Sequence, residues 1–192
     1  MTTTLFLGDA PLTLDDVRAV ADCGQTVALG AQVQQAISAS FDFLLHSISA
    51  GKHIYGVTTG LGANVDTTLL HTQNDRHDED LLQAIQRRIP LARAVGVGQQ
   101  ATPAQVRAIM LARLAGFVQG ASGISLPVAQ TLLAFINEGI HPRVPLIGSI
   151  GEADLAPLAH IGCALIGDGE AEYQGTVAPV SALLNQTGLT PA

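Results

Sequence analysis

The chain reads as a mainly α-helical protein with a minor β element near its termini, and three observations predict this. Apolar residues recur at three- and four-residue spacing in several separate stretches. Those stretches open on Thr or Ser caps with Pro, Asp or Gln in the first turn, and they close on Gly. No strand-rich region and no internal repeat is visible.

The first element is a short helix from Leu12 to Asp22, with Thr13 as N-cap and Asp16 three residues on as its capping partner. Residues 31–48 carry Val33, Ile37, Phe41, Leu44, Leu45 and Ile48 as a helical stripe that stops at Gly51. Gly56, Gly60 and Gly62 make residues 55–64 a loop. Residues 60–90 are expected to form a mobile loop segment. Their polar part, 64–80, suits a lid or an exposed connection.

Thr102-Pro103-Ala104-Gln105 is a strong helix start, combining a cap, a Pro at the first helical position and an amide partner. Val106, Ile109, Met110, Leu114 and Phe117 continue it as a core stripe, with Met110 as packing. Ser125-Leu126-Pro127 opens a further helix through Leu132, Leu133 and Ile136 to a stop at Gly139. Asp154 is the expected N-cap of a last helix, with Pro157 in its first turn, running to about Ile166.

Composition narrows the function classes. The chain has 192 residues, enough for a single domain with an ordinary core. Hydrophobic residues make up 47% and charged residues 13%, against about a quarter charged in typical soluble domains. Mean hydropathy is +0.34, yet no apolar run approaches the about 20 residues of a membrane span. The excess apolar surface is therefore expected to face a partner protein. Net charge is −7 with dispersed cations, which disfavours nucleic acid. The start lacks a basic n-region, so a secretory signal is not expected. Cys23 and Cys163 lack metal-ligand spacing and read as buried thiols in a cytoplasmic protein, rather than as a disulfide.

Several motifs occur in order. They are Thr13-Leu14-Asp15-Asp16-Val17, the segment from His53 to Gly62 (HIYGVTTGLG), and Leu91 to Gly98 (LARAVGVG). Gln119 to Ile124 (QGASGI), His141 to Pro145 (HPRVP) and Gly167 to Ala171 (GDGEA) follow, with Gly148 to His160 (GSIGEADLAPLAH) as the most specific of the set. Together they resemble the histidine and phenylalanine ammonia-lyase family. The resemblance runs over nearly the whole chain.

In that family the last segment reads G-S-x-G-A-S-G-D-L-A-P-L-A-H. Its Ala-Ser-Gly cyclises to the electrophile methylidene-imidazolone. Here Glu152-Ala153 occupies the place of three residues. The methylidene arises by dehydration of the Ser, and no Ser lies between Gly151 and Asp154. Ser149 is three residues before Glu152, outside the reacting tripeptide. The resemblance thus implies the N-terminal part of the ammonia-lyase (fumarase/aspartase-like) helical fold, with no cofactor, because methylidene-imidazolone cannot form.

Family subunits are more than twice as long. Residues 1–192 are accordingly expected to be a single domain equivalent to the N-terminal half of a subunit. A second polypeptide would supply the C-terminal half in a hetero-oligomer, and the family's active sites use residues from three subunits.

The same resemblance places the candidate site residues. Tyr55 matches the family's general base, on a glycine-rich loop where Thr58 replaces a usual Asn. A phenol of reference pKa about 10 needs nearby positive charge or a helix N-terminus to serve as a base. Its plainer role is a packed loop Tyr. Glu152 sits at the electrophile's place, before a helix N-terminus that favours a carboxylate; proton transfer and simple helix capping both remain open for it. Arg93 replaces a substrate-selecting His and is suited either to gripping a substrate carboxylate or to a salt bridge. Gly60 and Gly62 free the Tyr loop to move, and Asp154 completes the substrate-binding set. His160 reads as a structural His, while His71 and His77 show no metal pattern, so no metal site is expected.

Two functions are expected from these residues. One is a lyase-like subunit performing elimination, dehydration or isomerisation of a small or carrier-bound acid in specialised metabolism. The other is a catalytically silent partner that completes or stabilises a complementary chain.

Overall fold

The structure, a computed structural model, describes residues 4–67, 77–149, 151 and 154–192. It begins with β1 (Leu5–Leu7), α1 (Leu14–Cys23), β2 (Val27–Leu29) and α2 (Ala31–Ser49). Next come α3 (His77–Arg93), β3 (Val97–Gln100), α4 (Pro103–Val118) and α5 (Leu126–Glu138). β4 (His141–Pro142), β5 (Pro145–Ile147), α6 (Leu155–Leu165), β6 (Glu170–Tyr173), β7 (Thr176–Pro179) and α7 (Val180–Thr187) complete it. The mainly helical expectation holds.

Capping chemistry explains where the helices begin. In α1 the Thr13 hydroxyl accepts from the Asp16 amide while the Asp16 carboxylate takes the Thr13 amide, a reciprocal capping box. These bonds hold the Asp16 carboxyl below its ordinary value. Thr102 and Gln105 repeat the arrangement at α4, with Pro103 just inside the helix. Because Thr13 is the cap, α1 starts at Leu14 rather than Leu12. Ser125 holds the cap position of α5 without a side-chain bond.

α4 is the centre of the core. Val106, Met110, Leu111, Leu114 and Phe117 are buried on it, and it packs against α1, α2 and α5. Leu132, Phe135 and Ile136 of α5, Val20 of α1 and Ile37 of α2 close around that face. The stripe expected on α2 is only partly covered: Ile37 is buried, whereas Leu45 is exposed.

Among the described residues, three small sheets join the helices. β1 and β2 pair in parallel, Leu5 opposite Val27. β3 and β5 pair antiparallel, Val97 opposite Ile147. β4, β6 and β7 form an antiparallel sheet in that order, with His141 opposite Glu172. Gln174 and Gly175, at φ of 50° and 76°, form the two-residue turn between β6 and β7. Two positive φ values match the turn to the strands' right-handed twist.

Three expectations need correction. The β structure is not confined to the termini, since β3 and β5 lie mid-chain; strands of two to four residues are too short to leave an alternating pattern. The loop expected over 60–90 gives way to α3 from His77, a helix that contains Pro90. Pro in a helix interior ordinarily breaks it, which obscured the helix in the sequence; residues 68–76 lie outside the described residues. Of the two thiols, Cys163 is buried but Cys23 is exposed, at the last position of α1. Among the described residues, no helix is long and apolar enough to cross a membrane.

One polar side chain stands inside this core. Arg107 of α4 is 9% exposed and has no carboxylate partner among the described residues. Its Nε donates to the Val20 carbonyl at 2.9 Å and its Nη1 to the Ile136 carbonyl at 2.8 Å. Both carbonyls belong to final helical turns, which lack intrahelical donors. Replacing Arg107 with Met should cost about 2–4 kcal/mol, because two buried acceptors lose a charged donor. Urea unfolding of the two chains, compared by midpoint at equal slope, checks this.

Candidate functional site

The loop carrying Tyr55 is a closed turn. The Ile54 carbonyl accepts from the amides of Val57, Thr58 and Thr59 at 3.0, 3.0 and 3.3 Å. The buried Thr58 hydroxyl accepts from the Ile54 amide at 2.8 Å and donates to the Lys52 carbonyl at 3.0 Å. Gly60 is buried where the chain crosses itself, and a Cβ there would run into the Asn64 carbonyl. Gly62 opens a single 3-10 turn, Gly62–Asn64, whose preceding residue provides no side-chain cap.

The tip of Tyr55 meets that turn. Tyr55 is 61% exposed, and its phenol oxygen accepts from the Gly62 amide at 3.0 Å. A preorganised N–H aimed at this oxygen is a donor to negative charge developing there. The structure therefore brings two expected site residues together, Tyr55 and Gly62.

α3 connects this loop to the Gly148–His160 segment. The Gln86 side-chain amide donates to the Gly56 carbonyl at 3.1 Å. One turn further along, Pro90 lies against α6, where a Cβ added to Gly162 would sit 3.1 Å from the Pro90 Cβ. Just past the helix, the Gly96 amide donates to His160 Nε2 at 3.2 Å. Gly96 also faces Gly148, since a Cβ on Gly148 would lie 3.1 Å from the Gly96 Cα. Two chain segments approach here at a distance that only glycine permits.

Arg93 occupies the last turn of α3, half-buried, with Nη1 donating to its own helix at the Ile89 carbonyl, 3.4 Å away. It has no ion pair among the described residues. Asp154 takes the N-cap position of α6 in a left-handed conformation, φ 44° and ψ 40°, and makes no side-chain cap bond. It stands at the expected N-cap position, but without the side-chain bond of a usual cap: a residue in that conformation lacks the extended backbone that normally aims an N-cap side chain at the first-turn amides. Glu152 lies outside the described residues. No hydrogen bond joins Tyr55, Arg93 and Asp154 to one another among the described residues. Nor do His, Cys, Asp or Glu side chains there cluster in the threes a metal ion requires.

Sequence reasoning missed the roles of Thr58 and Gln86. Thr58 stood out only as a substitution. A hydroxyl residue inside a glycine-rich turn was the available signal, because such side chains bond nearby backbone.

The fold and this site define a mainly helical scaffold that presents a tyrosine on a closed, glycine-rich turn and a glycine-lined approach to α6. Residues 12–192 match the family model for aromatic amino acid lyases. The chain belongs to that family. It is 36% identical over 189 residues to histidine ammonia-lyase of Salmonella paratyphi A, covering 98% of this chain and 36% of that protein. It is similar in structure to ergothionase of Treponema denticola, an ergothioneine-degrading enzyme solved with desmethyl-ergothioneine sulfonic acid. There the TM-score is 0.92 with 33% identity, over 99% of this chain and 37% of that one. Phenylalanine aminomutase of Pantoea agglomerans gives a TM-score of 0.86 with 30% identity, over 98% of this chain and 35% of that one. The chain spans about a third of the length of the relatives it matches.

His160 yields a pH prediction. Burial lowers its pKa, and accepting from Gly96 requires Nε2 to be unprotonated. The unfolded chain then binds the proton more readily than the folded one. The stability that this group contributes is fully present above the ordinary value of about 6.5, and is lost as pH falls through the lowered folded value. Urea midpoints measured at pH 7.5 and 5.0 should fall more for the wild type than for His160→Leu.

Proposed function

We propose that these residues form part of a lyase-family enzyme that performs acid–base elimination, dehydration or isomerisation of a small acid or acyl substrate without methylidene-imidazolone. Tyr55 is the base. The observation that carries this reading is the exposed Tyr55 phenol, whose oxygen already receives the Gly62 amide. A base needs an accessible oxygen, a fixed direction and a donor to the charge it carries in the transition state.

The absence of the prosthetic group follows from chain chemistry. Between Gly151 and Asp154 stand only Glu152 and Ala153, so there is no hydroxyl to lose and no tripeptide to cyclise. The residues present do not fit the group. The reaction is instead one whose leaving group departs without that electrophile, with Glu152 as the second proton-transfer or orienting carboxylate. Arg93, which lacks an ionic partner among the described residues, grips a substrate carboxylate, and Asp154 with Gly60 and Gly62 completes the substrate-binding set. Relatives named for histidine and phenylalanine support a small amino acid, or an acid of similar size, as the substrate class.

A second polypeptide supplies the rest of the lyase fold in a hetero-oligomer. Exposed Val95, Val97, Leu146 and Ile147, on and beside the β3–β5 ribbon, support a covering protein surface. Free thiols at Cys23 and Cys163 support a reducing, cytoplasmic setting. Net charge of −7 speaks against a nucleic-acid partner. A second reading, a catalytically silent partner that stabilises a complementary chain, is favoured by the lack, among the described residues, of any charged side chain hydrogen-bonded to Tyr55.

Turnover in the assembled complex decides between them. Tyr55→Phe should lower kcat by at least about 100-fold, the loss expected on removing a general base. The complex should survive intact in native mass spectrometry. Glu152→Gln should lower kcat as well. Unchanged turnover in Tyr55→Phe would give the silent-partner reading the field.

A further inference from the structure

We propose that Thr58 is a positioning residue for Tyr55, holding the start of that side chain while Gly62 holds its tip. The activity arm of this proposal rests on Tyr55 being the base; the structural arm does not.

Thr58 bonds the two backbone groups that lead into Tyr55. Its single hydroxyl uses its proton on the Lys52 carbonyl and a lone pair on the Ile54 amide, three residues and one residue before Tyr55. At 7% exposure, water does not readily replace it. The chain then leaves Tyr55 through Gly56 at φ 72°, so the backbone turns sharply on the far side. The Gly62 amide meets the phenol oxygen at 3.0 Å only while the backbone before Tyr55 keeps its direction. A side chain fixed at both ends points one way, which is what a proton acceptor on an exposed loop requires. Thr59 is equally buried, but its hydroxyl donates to the Gly60 carbonyl and touches neither group.

Composition makes the test direct. The chain has two tyrosines, Tyr55 and Tyr173, and Tyr173 sits in β6 as an internal reference. Ring-13C-tyrosine NMR spectra would be recorded for the full chain and for Thr58→Val, Thr58→Ser and Thr59→Val. Thr58→Val should move or broaden the Tyr55 ring signals, and Thr58→Ser should restore them. Thr59→Val and the Tyr173 signals should stay close to wild type. Unmoved Tyr55 signals in Thr58→Val would overturn the proposal. So would displaced Tyr55 signals in folded Thr58→Ser, an arm that holds even where Thr58→Val is too unstable to study.

In the assembled enzyme, Thr58→Val should reduce kcat at least 10-fold and leave KM within twofold. If Tyr55→Phe leaves turnover unchanged, the base assignment fails while the ring spectra still judge the positioning role.

Discussion

The fold depends on a buried cation that no acid neutralises among the described residues. Arg107 projects from the central helix α4 to the last turns of α1 and α5, bonding Val20 and Ile136. Those turns end at Gly24 and Gly139, and neither carries a basic residue of its own. Two helix C-termini place partial negative charge at one point, and the guanidinium supplies the missing charge to both. Asn137, in the same turn of α5, bonds both the amide and the carbonyl of Val27 and so ties β2 to that corner. The surroundings register the cation: the imidazole of His141 is pushed down in pKa by burial, then by Arg107, with Glu172 opposing. Helix ends, a strand and the core are thus joined by side-chain to backbone bonds. Apolar packing of α4 alone would leave these carbonyls unpaired.

The candidate site is held together by the same kind of bond, side chain to backbone. α3 touches the Tyr loop through Gln86, lies on α6 through Pro90, and leads into Gly96, which binds His160. The Tyr loop and α6 are therefore fastened to one rod, one turn apart on it. Exposed Val95 and Val97 follow this rod in the chain, and Val97 pairs with exposed Ile147 of β5.

Much of the scaffold was legible because its causes are local. Thr13 with Asp16, and Thr102 with Gln105, lie three residues apart, and their bonds follow from helical geometry wherever the helix packs. The core stripe of α4 was likewise readable from its period, although Leu111, fully buried, fell outside it. α3 was not readable, since Pro90 and a polar first half disguise a helix whose place is set by contact with α6. The N-cap position of α6 was readable at Asp154, but not the absence of its side-chain bond, because that follows from a left-handed backbone rather than from residue identity.

The sequence by itself determined the family and the capped starts of α1 and α4, because each depends on residue identity or on neighbours a few positions away. Only the tertiary structure decided that Arg107 spans to Val20, 87 positions away, or that Gly96 meets His160, 64 positions away. The same is true of Gln86 reaching Gly56 across 30 positions. Such bonds form only after packing has met the entropy cost of bringing distant segments together, and that cost leaves no trace in local pattern. Even Tyr55 and Gly62, seven residues apart, meet because the closed turn between them bends the chain back on itself.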